Sequence, residues 1–440
     1  MVNRLSQSVP PQASAAKGAR AFALPKWGGW AVAAMVVAAL AAVPLIAVAL
    51  AAPMGGMEAL IALSETVLGR YVANTAALMV LTGAIAGVIG TGCAWLVSAC
   101  EFPGRRMFAW ALVLPLAVPS YIAAYLYADL LDFGGPVQSG LRAITGWGVE
   151  DYSFPAIRSL PGAALILALV LYPYVYLLAR TAFATQSASQ FRAARSLGAG
   201  PSRAFWRIAL PAARPAIAGG LALVLMEVLA DFGVAEYFAI PTFSTGIFRS
   251  WLAMGDRDAA MGLAALMLLF VLVLVTIEAM TRRGRTVSRD GIGETSQRGP
   301  LVRLSAGGKA LAFAACLIPL MLGFVVPVLH LGALATQDAA LGAAGSLWTY
   351  TSASIWLGAA VAVTCCVLAI LLAFAGSRSD SRMVAGATRL ATLGYALPGA
   401  LLAVGLLAPL GWVDQGLTGF ARDNLGYGGG LILTGTSLIL

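Results

Sequence analysis

Glu227 and Asp231 stand four residues apart in an otherwise apolar run, Met226-Glu227-Val228-Leu229-Ala230-Asp231-Phe232-Gly233. A helix would carry both on one face, and an ionised carboxylate at the middle of a bilayer costs about 3 kcal/mol. Something must compensate. In one reading the pair lines a passage, favouring cationic cargo or closing a gate. In another the two are protonated or hydrogen-bonded struts between helices, and in a third they are proton or sodium sites of an ion-driven carrier. One helix supplies too few oxygen or nitrogen ligands for a bare metal ion, so no metal site is expected here.

Other reactive side chains are sparse. His330 is the one histidine, near a helix end, and reads as interfacial rather than as a ligand. Cys93, Cys100, Cys316, Cys365 and Cys366 lack metal-ligand spacing and read as small apolar fillers. Tyr172-Pro173-Tyr174-Val175-Tyr176 places a proline kink among aromatics, for packing or as a gate. No phosphate loop occurs: Gly135 to Gly140 is followed by Leu141-Arg142 where Lys-Ser/Thr is needed. Neither a nucleophile elbow nor a His-Glu-x-x-His motif is present. We expect no catalytic site, no cofactor bound by this chain and no ATP hydrolysis of its own.

These groups sit in a chain of 440 residues that is 60% hydrophobic and 11% charged. A water-soluble surface needs far more charge. The net charge of +9 belongs to loops between apolar runs of roughly 20 residues, the length that crosses a bilayer. It is therefore a topology signal and not a nucleic-acid surface.

Ten spans are predicted: 28 to 51, 71 to 99, 107 to 128, 160 to 184, 212 to 234, 259 to 281, 308 to 332, 350 to 376, 386 to 411 and one from 426 onward. All must be helices, because lipid offers backbone groups no partner. The first is too long for a signal-peptide core, despite the small residues at Ala47 to Ala51. With the N-terminus cytoplasmic, 22 of the 28 Lys and Arg fall inside. Only Arg70, Arg142, Arg158, Arg249, Arg257 and Arg422 fall outside.

An offset of 279 residues relates two stretches: Tyr71 falls on Tyr350, Trp95 on Phe374, Glu101 on Asp380 and Pro119 on Pro398. Six spans separate equivalent positions, so the repeat is parallel. The expected organisation is a cytoplasmic tail over 1–27, a first membrane domain over 28–281, a basic linker over 282–306 and a second, incomplete domain over 307–440. The apolar run Leu431 to Leu440 ends without a polar anchor, and we read the sequence as part of a longer protein.

Between the fourth and fifth spans, Arg192-Ala193-Ala194 is followed by Gly198, and after nine residues by Ile208-Ala209-Leu210-Pro211. Composition predicts a helix over 187 to 197, a turn at Gly198-Ala199-Gly200, and a second short helix from Pro201 to Pro211. Phe205, Ile208 and Ala209 would press into a partner's groove, with Arg203 and Arg207 at its rim. The spacing resembles the "EAA" loop of ABC importer permeases, with Arg192 in place of the family's acid. The run from Met226 to Phe238, followed by Ile240-Pro241-Thr242-Phe243-Ser244-Thr245-Gly246, resembles permeases of the iron(III) importer group.

That resemblance implies an all-α polytopic fold like the type I importer permeases, in a bacterial inner membrane. It further implies two separate ATPase subunits that hold ATP and Mg, a periplasmic binding protein, and alternating access. The coupling loop would comprise Arg192, Ala193, Ala194, Gly198, Ile208, Leu210 and Pro211, and the candidate translocation path Glu227 and Asp231. Thiamine and aminoethylphosphonate are cargoes of neighbouring groups. An ion-driven carrier using the two carboxylates is the alternative.

Overall fold

A computed structural model describes residues 29–51, 55–185, 200–282, 302–336, 344–378, 381–394 and 397–425. Helices dominate. The first are α1 (Gly29–Ala51), α2 (Gly56–Ser64) and α3 (Leu68–Ala99), then the two-residue strand β1 (Cys100–Glu101). Next come α4 (Arg105–Ala111), a 3-10 turn at Leu114–Ala117, α5 (Ser120–Leu131), α6 (Pro136–Thr145) and α7 (Leu160–Thr185). After them stand α8 (Pro201–Ala204), a π turn (Phe205–Ala209), α9 (Leu210–Ala230), α10 (Gly233–Tyr237), α11 (Phe243–Phe248) and α12 (Arg257–Arg282). Strand β2 (Val302–Arg303) precedes α13 (Ala306–Leu320), a π turn (Met321–Val325), α14 (Val326–Ala335), α15 (Ala344–Arg378), α16 (Arg382–Leu393) and α17 (Gly399–Leu425).

Among the described residues eight helices are long and apolar enough to cross a membrane, or nine crossings if Arg105–Ala117 and Ser120–Thr145, which meet at 90°, count as one. The predicted span 107 to 128 is thus not a straight helix. Pro119 lacks an N–H and drives Val118 to φ −95 and ψ 114, which ends the helix there. The predicted span 386 to 411 is also corrected: α16 stops at Leu393, and a separate crossing, Gly399–Asn424, starts after Pro398. The span from 426 lies outside the described residues.

The fifth span differs at both ends. Rather than stopping at Pro211, the helix from Ser202 runs through to Ala230. Pro211 falls in the first turn of α9, where a missing N–H costs little, and the π turn before it absorbs the change of pitch. At the far end Asp231 is extended, with ψ 118, so the helix ends at Ala230, four residues before the expected 234.

The 279-residue offset reappears in the boundaries. α3 and α15 overlap under it, and Ser120 maps onto Gly399, each the first helical residue after a proline. Packing exchanges the opening helices. α1 lies mainly against α15, α16 and α17 and also touches α12, whereas α13, α14 and the turn between them lie against α3, α4, α5 and α7. Trp30 of α1 meets Phe374 of α15 edge to face at 4.8 Å.

The core centres on α7, packed between α3 and α9. Tyr172, Val175 and Tyr176 are wholly buried. The α7 backbone passes so close to both neighbours that a Cβ at Gly90 would lie 2.8 Å from Tyr172 O, and one at Gly220 2.7 Å from Val175 Cα. Helices in lipid gain from such close approach, because small residues let van der Waals contact replace the absent hydrophobic drive.

Candidate functional site

Asp231 occupies the break after α9. Its Oδ1 accepts from the backbone N–H groups of Val234, at 2.9 Å, and Ala235, at 3.4 Å, closing the first turn of α10. Its Oδ2 accepts from Ser120 Oγ at 2.8 Å. Ser120 opens α5 directly after the Pro119 break, so one carboxylate joins two interrupted helices. Nothing in sequence spacing announced this partner, which lies 111 positions away.

Glu227 is placed differently. Four-residue spacing puts it on the face that leads toward Asp231, but α9 has ended before Asp231 and the two side chains find separate partners. Tyr174 Oη donates to Glu227 Oε1 at 3.4 Å, a long contact for a hydroxyl donor. Of the three tyrosines around Pro173, Tyr172 and Tyr176 are core, and the half-buried Tyr174 alone reaches a carboxylate. Tyr176 instead donates to Ala109 O at 3.0 Å.

The segment from Asp231 to Asp256 folds back as a compact unit held by buried hydroxyls. Thr242 and Thr245 form a reciprocal capping box for α11. Asn74 donates to Pro241 O at 3.0 Å, Thr75 accepts from Phe243 N at 3.2 Å, and Ser244 donates to Leu229 O at 2.8 Å. Above it Tyr125 and Tyr237 lie ring to ring at 6.0 Å, and the Arg158 guanidinium covers Tyr237 at 5.1 Å. Arg158 also pairs with Asp132 at 2.8 Å, which pushes its already high pKa further up.

At the opposite end, Arg192, Ala193, Ala194 and Gly198 lie outside the described residues. Ile208, Leu210 and Pro211 belong to the continuous helix that ends at Ala230. The expectation for Phe205 is corrected. Its ring turns inward, 5.0 Å from Trp95 and 6.4 Å from Phe183, because the π turn rotates that face toward α3 and α7. Trp206 takes the outward position and is 63% exposed, flanked by the exposed Arg203 and Arg207. Nearby, Arg105 donates to Val97 O at 2.5 Å and Ser98 O at 2.9 Å, and Arg180 to Ala109 O at 2.7 Å. Cationic side chains there satisfy carbonyls left open at a helix C-terminus. β1 and β2 pair in parallel, Cys100 opposite Val302 and Glu101 opposite Arg303.

His330 pairs with Asp129, Nε2 to Oδ2 at 2.7 Å, joining α14 to α5. Two residues earlier on α5, Tyr127 Oη donates to Leu322 O in the π turn of the same helix. Cys93, Cys100 and Cys316 are buried, and the Cys93 thiol donates to Ala315 O at 3.6 Å, on α13 of the other repeat. Among the described residues no three His, Cys, Asp or Glu side chains gather as metal ligands.

Long apolar helices, breaks at Pro119 and Asp231 joined by one carboxylate, and an arginine-flanked helix turn at one end define a polytopic membrane protein. A profile of the family described as "Binding-protein-dependent transport system inner membrane component" matches residues 88–283. The Fe(3+)-transport system permease protein FbpB 2 of Haemophilus influenzae is 27% identical over 347 residues, 77% of this chain and 63% of the relative. A probable molybdenum ABC transporter permease protein of Haloferax volcanii is 31% identical over 193 residues, covering 43% of this chain and 67% of its own length. The solved structure of a bacterial alginate ABC transporter, in complex with an alginate pentasaccharide-bound periplasmic protein, matches with a TM-score of 0.45 and 20% identity, over 55% of this chain and 88% of that one. The chain belongs to the family of inner membrane permease components of binding-protein-dependent transport systems. It spans 63% of the length of the Haemophilus relative.

Proposed function

We propose that this chain is the membrane-spanning subunit of an ATP-driven importer working by alternating access. A periplasmic binding protein would deliver cargo on the outer side. Two separate ATPase chains, holding ATP and Mg, would close beneath the segment from Arg192 to Pro211. The observation that carries the reading is the family match over residues 88–283, which contains that whole segment and both carboxylates. Coupling requires the ATPases to bind the two states of the permease with different affinity, since a ligand shifts an equilibrium only by that difference.

For the cargo we propose iron(III) or a related small cation. The name of the Haemophilus relative supports this, as does Glu227, which accepts from the Tyr174 hydroxyl and pairs with no basic residue among the described residues. An ionised Glu227 lining the passage would disfavour oxyanions by like-charge repulsion. The ion-driven alternative draws no support from Asp231, whose oxygens already take three donors.

The test is ATPase activity of the parent protein, purified with its co-encoded ATPase and binding protein and reconstituted in liposomes. Stimulation by an iron(III)-loaded binding protein supports the reading in full. Stimulation by an oxyanion-loaded one retains the importer and overturns the cargo. Absence of any ATPase association overturns the importer.

A further inference from the structure

Helix α6 turns polar groups inward. Gln138 and Arg142 share one face of Pro136–Thr145, and Val137, Leu141 and Ile144 form an apolar stripe about 100° round from it. In an ordinary surface helix the apolar stripe faces the core. Here the polar side turns inward: Gln138 is buried and donates to Leu131 O at 2.8 Å, and Tyr152 Oη donates to Gln138 Oε1 at 2.9 Å. Arg142 donates to Tyr152 Oη at 2.8 Å and to Phe133 O at 2.9 Å, with its guanidinium 4.3 Å from the Phe133 ring centroid. The one charge on the helix is thus used internally. Both ends of the apolar stripe are left outward, with Ile144 87% exposed and Val137 exposed two turns before it while Leu141 between them is half-buried, and the following turn adds exposed Trp147 and Val149.

We propose that α6 and the turn after it lie in the boundary between headgroups and acyl chains, at the membrane surface where the helix ending at Ala335 emerges. The level is set by α5, which leads into α6 and is pinned through Asp129 to His330 near the end of that crossing. The outward arc bears no charge, carries branched aliphatic groups, and ends in a tryptophan, the side chain enriched where bilayers meet water. Lipid covers such a patch permanently. A soluble protein that docks and departs would leave Ile144 in water between visits, at a cost that scales with the apolar area exposed. Glu150 and Asp151 follow directly and mark the aqueous rim.

The test uses the full chain in phosphatidylethanolamine and phosphatidylglycerol vesicles, with Cys365 and Cys366 replaced by alanine. A nitroxide is attached in turn at Ile144→Cys, Val137→Cys and Glu150→Cys. Collision with oxygen is then compared with collision with an aqueous nickel complex. The labels at 144 and 137 are expected to favour oxygen and to report a depth of about 5–10 Å, while the label at 150 favours nickel. Two labelled positions on the arc guard against one substitution perturbing the helix. Preference for nickel at both 144 and 137 overturns the proposal. So does immobilisation of both labels on adding the cognate binding protein, which would assign the face to that partner.

Discussion

Ser120 donates to Asp231 at 2.8 Å across the two helix breaks, so the start of α5 and the end of α9 move as one piece or not at all. Replacing Asp231 by alanine strips an acceptor from Ser120 and from two backbone N–H groups at once. We expect Asp231→Ala to cost about 1–3 kcal/mol, seen as a lowered thermal transition in detergent. Asp231→Asn keeps one carbonyl acceptor and should lose less. A variant Asp231→Asn that is fully stable yet inert in transport would instead make this residue an ion-coupling group.

Glu227 bears the opposite expectation. Glu227→Gln exchanges carboxyl for amide on a half-buried side chain whose hydrogen bond to Tyr174 is 3.4 Å long, so stability should change by less than about 0.5 kcal/mol. Uptake of a cationic cargo should fall while ATPase assembly persists. Unchanged uptake would remove Glu227 from the passage.

The neighbours Phe205 and Trp206 separate packing from coupling. Phe205→Ala loses ring contacts with Trp95 and Phe183 and should destabilise by about 2 kcal/mol. Trp206→Ala, on the exposed side, should leave the thermal transition in place and reduce co-purification of the ATPase. Equal retention of ATPase by Trp206→Ala and the parent would exclude this face from the contact.

Gly198→Asp is expected to insert normally and to abolish transport. Full uptake by that variant would separate this segment from force transmission.

Ala239 sits at φ 54 in the turn between α10 and α11, where a Cβ is strained. Ala239→Gly should raise stability by about 0.5–1 kcal/mol, since relief of strain there outweighs the added freedom of the unfolded chain. A downward shift of the thermal transition would show that the strain is absent.

Span positions were legible because lipid imposes long apolar runs, and Leu68–Ala99 and Leu347–Arg378 fall where hydropathy and the repeat expected them. Breaks at Pro119 and Pro398 were less so: proline marks a bend, but only surrounding helices decide whether the span continues or turns by 90°. Side-chain roles at the site depended on rotation about helix axes. Phe205 and Trp206 are adjacent aromatics in the sequence, and a π turn settles which one faces the bundle. Similarly, Asp231 looked like the twin of Glu227 until the end of α9 separated them. Ser120 carried no signal beyond following a proline.

The exchange of opening helices also fixes an order of events during biosynthesis. α1 leaves the ribosome roughly 300 residues before α15, against which it finally packs. At about 5–20 residues per second that is a wait of about 15–60 s, spent in the bilayer without its main partners. The segment Gly29–Ala51 contains no charged side chain, so lipid alone can shelter it meanwhile. α13 faces no such delay, because α3, α4, α5 and α7 are already in place when it arrives. The first repeat is therefore the template on which the second begins to assemble, and α1, which has α12 beside it from the first repeat, completes its packing once the second repeat arrives.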